Sequence, residues 1–322
     1  MSSGDWMMGM IFLTQTVVGI LGNICLLSSY LCLYLSGYRV RCTDLIIKHL
    51  LAANSQFLLF RAALGFRHFI SDLGCKLLFY VHRVGRGMSF SSTCLLSVFQ
   101  AITIRPRDSR WAELKVKAPR YTGTCVFLCW ILHLLVNIIV PLYATAINVD
   151  INITKRSDFG YCSAGKFERN ISVINGALLS LPDVLCLGIM PWASGSMVLI
   201  LYRHKQRFQH LHGNSPSPRS SSLSRPTKSV LLLVSTFVSL YTLSFTMHIW
   251  WAVSGNSTQL LVHLSALSNA CFPALSPFIL MSRDTNVCRL CWSRTSPMSS
   301  ESCDMYTPAQ CPAVSLFISL KS

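Results

Sequence analysis

Charged side chains are scarce in this sequence. Only 12% of its 322 residues are Asp, Glu, Lys or Arg, and only 12 residues are acidic. Soluble domains carry about 25% charged residues, so the composition excludes a protein whose main solvent is water. Hydrophobic residues make up 52% of the chain instead. This combination predicts a membrane protein.

The few charges are unbalanced, with 28 basic against 12 acidic residues and a net charge of +16. A nucleic-acid-binding protein gathers such an excess on one soluble face. Here the basic residues fall between apolar stretches, so we expect lipid and not nucleic acid as the partner of this charge. No set of three or four His and Cys residues has the spacing of a metal site, and no catalytic or cofactor motif is present. We therefore expect no bound metal, no cofactor and no enzymatic activity.

Seven apolar stretches fill most of the chain. About 20 apolar residues in an α-helix cross the hydrocarbon core of a bilayer, and in lipid the backbone must satisfy its own polar groups. The sequence thus predicts an all-α, seven-transmembrane helix bundle. The predicted organisation is an extracellular N-terminus at 1–9, a membrane domain at 10–282 and a cytosolic tail at 283–322. The predicted spans are 10–35, 44–64, 77–103, 122–144, 177–202, 230–253 and 260–281.

The distribution of basic residues predicts the orientation. Eighteen lie after the first, third, fifth and seventh spans, against six in the intervening loops. Cytosolic loops are enriched in Lys and Arg, so the N-terminus is expected outside and the C-terminus in the cytosol. Three sequons fall on the predicted outer side. Those at Asn152 and Asn170 are candidate glycosylation sites, whereas the one at Asn256 lies too close to the membrane. The residues expected to face a cytosolic partner are Arg105, Arg107, Arg110, Lys205 and Arg207.

Seven of the fourteen cysteines lie inside predicted spans, where a thiol behaves as a small hydrophobic group. Cys75, at the outer end of the third span, and Cys162, in the fourth loop, lie outside the spans on the predicted outer side. Both would face an oxidising compartment, so we predict a disulfide between them. Cys288 and Cys291 follow the last span beside apolar residues and are candidates for S-palmitoylation.

Ionisable residues inside a membrane are costly and mark candidate sites. His82, Arg83 and Arg86 follow Cys75 by seven, eight and eleven residues, about 10–17 Å along a helix. Asp183 is the acidic residue expected at similar depth, in the fifth span. One interpretation is a cationic cavity for a ligand with an anionic group, such as a sulfate or carboxylate on an apolar skeleton. The other is structural, with an interhelical Arg86–Asp183 pair and contacts from Arg83 to carbonyl groups.

Two further residues admit a simpler interpretation than ligand binding. His248 lies near the outer end of the sixth span, either lining the cavity or anchoring the helix at the membrane interface together with Trp250 and Trp251. Arg61 lies near the outer end of the second span. Its long side chain is expected to reach the membrane interface while its stem stays in the apolar region.

Several residues resemble landmarks of rhodopsin-like G-protein-coupled receptors: Gly22-Asn23 in the first span, Asn54 in the second and Trp130 in the fourth. By this resemblance, His82 occupies a position that faces the ligand cavity. The chain also departs from that class, because Asn54 stands where an aspartate is usual and no Asp-Arg-Tyr closes the third span. These departures put the usual sodium site and activation lock in doubt.

More specific motifs resemble the vomeronasal type-1 receptor family, across roughly residues 10 to 295. This resemblance implies a plasma-membrane chemoreceptor that binds a small pheromone-like ligand in the outer half of the bundle and activates a heterotrimeric G protein. The alternatives are a non-signalling or poorly expressed receptor relic and, less favoured, a small-solute transporter. The motifs lie at 94–104, 106–115, 192–198, 204–207, 231–237, 273–278 and 281–284.

Overall fold

The computed structural model describes residues 3–35, 41–64, 72–105, 112–146, 158–159, 162–164, 169–212, 219–254 and 259–281. In these segments the chain is almost wholly helical, with three very short strands. The helices are α1 Ser3–Leu35, α2 Cys42–Leu64, α3 Asp72–Ile104, α4 Ala112–Asn137, α5 Val140–Tyr143, α6 Arg169–His212, α7 Arg219–Ser254 and α8 Gln259–Met281. The strands are β1 Ala144–Ala146, β2 Asp158–Phe159 and β3 Cys162–Ala164.

The seven long helices confirm the predicted seven-helix bundle. The single turn α5 and strand β1 follow α4, and the strands form an antiparallel sheet in the order β1-β3-β2. Two helices extend well beyond their predicted spans: α6 and α7 contain 44 and 36 residues. Hydropathy marks only the apolar part of a helix, so it underestimates helices that continue past the membrane with polar residues.

Five helices contain segments that are long and apolar enough to cross a membrane, by length and composition alone. The other two long helices, α2 and α4, complete the bundle by packing against α3. Leucine, isoleucine and valine side chains are exposed on the outer faces of α1, α4 and α6. Large exposed apolar surfaces are unusual on soluble monomers but are what lipid requires. The five segments that are long and apolar enough to cross a membrane are 6–35, 76–104, 178–203, 227–244 and 264–281.

Helix α3 lies at the centre of the bundle and packs against α2, α4, α6 and α7. Its contact with α2 is close at Gly85. A Cβ atom there would lie 3.2 Å from both the Ala53 carbonyl oxygen and the Phe57 amide nitrogen. Because backbone atoms cannot rotate away, a small residue is needed at this crossing, as is common between helices in lipid. This packing fixes the face that α3 turns toward the interior.

Pro277 removes one backbone hydrogen bond from helix α8, and a neighbouring side chain replaces it. Pro277 has no N–H, so it cannot donate to the carbonyl of Pro273 one turn earlier. The side-chain amide of Asn23 on α1 donates to that carbonyl at 2.8 Å and also to the Gly19 carbonyl at 2.7 Å. A neighbouring helix thereby supplies the missing donor, as membrane interiors require.

Candidate ligand-binding site

The site begins with the three ionisable residues on the first half of α3. The ring of His82 stacks on that of Phe57 from α2, with centroids 4.5 Å apart and planes 29° apart. Arg83, one residue further, has turned toward α4, where its Nε donates to Asn137 Oδ1 at 3.1 Å. Consecutive residues of a helix project about 100° apart, so this pair reaches two different neighbours.

Arg86 lies one turn deeper than His82 and occupies the middle of the bundle. Its guanidinium carbon is 5.7 Å from the ring centroids of both Phe90 and Tyr241. Its Nε atom is buried and has no hydrogen-bond partner. Aromatic faces attract a cation but supply no hydrogen-bond acceptor as strong as an oxygen. The interior therefore holds a guanidinium whose hydrogen-bonding capacity is incompletely used.

Asp183 on α6 is close enough to both Arg83 and Arg86 to interact with them electrostatically. Within the part of the chain that the structure describes, however, no direct ion pair or hydrogen bond joins this carboxylate to either arginine. The structural alternative from the sequence is therefore wrong for one of its two contacts. Arg83 does donate to a carbonyl oxygen, that of the Asn137 side-chain amide, but the Arg86–Asp183 pair is not in contact. Two arginines and one aspartate leave the site with a net positive charge.

An aromatic cluster begins with Tyr241 at the level of the Arg86 guanidinium and continues below it. The cluster consists of Phe90, Phe237, Tyr241 and Phe272, from α3, α7 and α8. The Phe237 ring packs edge-on against Phe90 and Phe272, with centroids 4.6 Å and 4.4 Å away. Tyr241 packs against Phe90 and Phe237 at 4.2 Å and 4.4 Å. Phe237 and Phe272 are fully buried. The cluster closes the bundle interior beneath the guanidinium, so a ligand reaching Arg86 would rest on aromatic rings.

Deeper still, three helices share a neutral hydrogen-bond network that the sequence did not reveal. The hydroxyl of Ser89 on α3 donates to Asn54 Oδ1, and Asn54 Nδ2 donates to the hydroxyl of Ser276 on α8, both at 2.7 Å. All three residues are buried. Asn54 was recognisable only as a landmark of helix α2. Its partners could not be inferred, because serine is common throughout these helices.

A second buried contact connects α3 with α4. Ser91 Oγ lies 2.7 Å from Nε2 of His133, and Asn137 Nδ2 donates to the His133 carbonyl at 2.8 Å. Since Asn137 also accepts from Arg83, the packing of His133 helps to position the outer arginine. Sequence reasoning missed Asn137, although its spacing of four residues from His133 places both on one helix face.

The contacts of Arg61 contradict the prediction that its side chain reaches the membrane interface. Its Nη1 donates to the Ala266 carbonyl of α8 at 2.5 Å, and its guanidinium lies 5.0 Å from the Phe12 ring centroid on α1. The side chain therefore turns into the bundle and does not reach for the membrane interface. The Ala266 carbonyl lies within reach of Arg61. Because this oxygen accepts a hydrogen bond from the guanidinium, the side chain does not have to extend to the polar membrane interface.

The remaining predicted residues lie wholly or partly outside the described part of the chain. For six of them only the backbone is described: His248, Cys75, Cys162, Asn170, Lys205 and Arg207. Asn152, Arg107, Arg110, Cys288 and Cys291 lie outside the described residues altogether. Arg105 is described and lies just past the end of α3. The disulfide, the glycosylation and palmitoylation sites and the cytosolic contact residues thus stay predictions.

Seven long membrane helices around a cationic interior place this chain in the class of seven-transmembrane receptors. The model of the vomeronasal organ pheromone receptor family matches residues 6–293. The chain belongs to the vomeronasal type-1 receptor family, as its motifs indicate. It is accordingly a multi-pass membrane receptor and not an enzyme.

Three relatives show how far the similarity extends. Human vomeronasal type-1 receptor 4 is 54% identical over 296 residues, which cover 89% of this chain and 97% of the relative. Human vomeronasal type-1 receptor 2 is 53% identical over 285 residues, covering 87% of this chain and 72% of the relative. Mouse vomeronasal type-1 receptor 45 is 32% identical over 293 residues, covering 86% and 88%. The similarity therefore spans the whole bundle.

Proposed function

We propose that this chain is a plasma-membrane chemoreceptor that binds a small anionic ligand in the outer half of the bundle and activates a heterotrimeric G protein. The single observation that carries the ligand proposal is the buried Nε of Arg86, which lacks a partner. A buried cation is stable only when an opposite charge or several acceptors surround it. A ligand with a sulfate or carboxylate would supply both.

Charge around the site supports an anionic ligand over a neutral one. Among the described residues, Asp183 is the one carboxylate near Arg83 and Arg86, and neither guanidinium touches it. Arg83 already binds an amide oxygen, whereas the contacts of Arg86 within the described part of the chain are with aromatic rings. An oxyanion could form two parallel hydrogen bonds with the planar guanidinium of Arg86. His248, whose side chain lies outside the described part, is a further candidate contact.

The aromatic cluster under Arg86 suits the apolar part of such a ligand. Ligand sites are mostly apolar, with a few polar groups that fix orientation. Ligand binding would shift an equilibrium between two arrangements of the helices only if it favours one of them. Phe237 and Phe272 bridge α7 and α8 immediately below the site, so a ligand pressing on this cluster would alter how these helices pack.

The opposite end of the bundle is the proposed G-protein surface. We infer that the N-terminus is extracellular, because Lys and Arg are concentrated after the odd-numbered spans. This orientation places Arg105, Arg107, Arg110, Lys205 and Arg207 in the cytosol. Family membership supports signalling through a G protein in general terms.

A cell assay of G-protein activation tests this proposal. Cells expressing an epitope-tagged chain would be exposed to matched steroids with and without a sulfate group. We expect a response to the sulfated compounds, a shift to about 10- to 100-fold higher concentration in Arg86→Met, and partial retention in Arg86→Lys, since charged hydrogen bonds contribute roughly 1.5–3 kcal/mol. Surface labelling of each variant separates lost binding from lost expression. Equal responses to both steroids that survive Arg86→Met would defeat the proposal.

A further inference from the structure

Helix α8 carries a polar residue at the level of Arg86 that none of the contacts above explain. The Oδ1 atom of Asn269 is buried and has no hydrogen-bond partner. An unpartnered buried acceptor costs free energy, so such an atom in a folded protein requires an explanation. Among the described residues, Arg86 Nε on α3 is another such atom, and the rest are Gln15 Oε1, Asn23 Oδ1, Ser92 Oγ and Ser194 Oγ.

The contacts between α7 and α8 fix the depth of Asn269. Toward the centre of the bundle, Phe272 packs on Phe237 with ring centroids 4.4 Å apart. Toward the predicted outer end, the hydroxyls of Ser265 and Ser244 are 3.5 Å apart. Asn269 falls between these two levels of α8, as Tyr241 does on α7. Tyr241 contacts the Arg86 guanidinium, so Asn269 and Arg86 lie at one level.

The neighbours of Asn269 along α8 fix its direction. Phe272, three residues later, faces α7, and Ala270 packs with Phe57 and Leu58 on α2. Ser276, seven residues later and therefore on the same face as Asn269, bonds to Asn54, which in turn accepts from α3. Asn269 thus projects between α7 and α2, toward the interior face of α3 where Arg86 lies.

We propose that Asn269 is a specificity-determining residue, which binds a hydrogen-bond donor of the ligand while Arg86 binds its anionic group. This inference rests on the proposed function, because it concerns the same cavity. The ligand class it defines is an apolar skeleton with an anion at one end and a hydroxyl or amine at a separate position. A hydrogen-bonding site rejects analogues that leave its buried polar group unpaired, so Asn269 provides discrimination that an aromatic surface alone does not.

The inference predicts opposite effects of one substitution on stability and on binding. Asn269→Leu has nearly the same shape but no unpaired oxygen. We therefore expect the ligand-free receptor to gain roughly 2–4 °C in its thermal midpoint. Ligand discrimination should be lost at the same time. A residue with a purely structural role would show a loss of stability on the same substitution.

The experiment uses the full chain in lipid nanodiscs with two steroid sulfates that differ only at the end opposite the sulfate, where one carries a hydroxyl and the other carries only hydrogen, because the Asn269 amide could also donate to a ketone. The concentration dependence of the thermal midpoint gives an apparent Kd for each. Wild type should prefer the hydroxyl compound by about tenfold, and Asn269→Leu should bind both equally. Ser268→Ala is the matched control, because its hydroxyl is already bonded within α8, to the Ser265 carbonyl at 2.9 Å. It should leave the preference unchanged.

Two results would overturn the inference: a lower ligand-free midpoint in Asn269→Leu, or an undiminished hydroxyl preference in that variant. If neither steroid sulfate stabilises wild type, the proposed anionic ligand is wrong. The thermal midpoint of ligand-free Asn269→Leu then decides the role of Asn269 by itself. A midpoint above that of wild type would support an amide that binds a ligand, and a midpoint below it would show an amide that stabilises the bundle.

Discussion

Replacing Gly87 by alanine should test the packing of α3 against α4 most sharply. A Cβ atom at this position would overlap the imidazole of His133. That ring is only 2% exposed and lies 2.7 Å from the hydroxyl of Ser91. It therefore cannot move aside without breaking a buried hydrogen bond.

The expected cost follows from two terms. Overpacking of a core costs about 1–3 kcal/mol, and a lost hydrogen bond costs about 1 kcal/mol. The higher helix propensity of alanine offsets up to about 1 kcal/mol. A net loss of roughly 1–3 kcal/mol should lower the thermal midpoint of Gly87→Ala by about 3–10 °C.

The assay is thermal unfolding of the purified receptor in detergent, with His133→Ala as a second background. Removing the imidazole creates room for the new methyl group, so Gly87→Ala should be neutral or stabilising there. Gly188→Ala is the control, because a Cβ at Gly188 would have no atom within 4 Å. If Gly87→Ala were equally destabilising in both backgrounds, the contact with His133 would not be its cause.

Three further predictions concern other parts of the bundle. Asn54→Leu should lower stability by about 1–3 kcal/mol, because two buried serine hydroxyls lose their shared partner; an unchanged midpoint would show that the network is dispensable. Glu113→Ala should change stability by less than about 1 kcal/mol, since its 2.5 Å pair with Lys117 is exposed, and a larger loss would contradict a solvent-exposed pair. Replacing Asn152 and Asn170 by glutamine should remove any glycosidase-sensitive mobility shift on a gel, and no shift in the wild type would contradict glycosylation of the predicted outer loop.

The helix count was predictable because it depends only on the length of apolar segments. The ends of the helices were not, as α6 shows: its last turns, up to His212, continue past the apolar part. Hydropathy reports where lipid ends, whereas a helix ends where its backbone finds other partners.

The candidate site was predictable in composition and less so in contacts. His82, Arg83 and Arg86 were identifiable because ionisable residues are rare in membrane spans. Their partners Phe57, Asn137 and Tyr241 were not, since these depend on how neighbouring helices rotate and pack.

Two errors show this limit directly. Arg61 was assigned to the membrane interface from its depth alone, yet a carbonyl of α8 lies within its reach. The Arg86–Asp183 pair was inferred from matching depth, but the side chain of Arg86 packs on aromatic rings instead. Depth along a helix can be counted from sequence, whereas direction across the bundle requires the crossing geometry of all its helices.

Saturation binding of a radiolabelled steroid sulfate to membranes that contain this receptor tests the central claim most directly. Arg86→Met removes the proposed anion contact, and Arg120→Met removes an exposed arginine on α4 as a charge-matched control. We predict saturable binding in wild type and Arg120→Met, loss in Arg86→Met, and no competition by the unsulfated steroid. Equal saturable binding in all three proteins would contradict an anionic ligand held by Arg86.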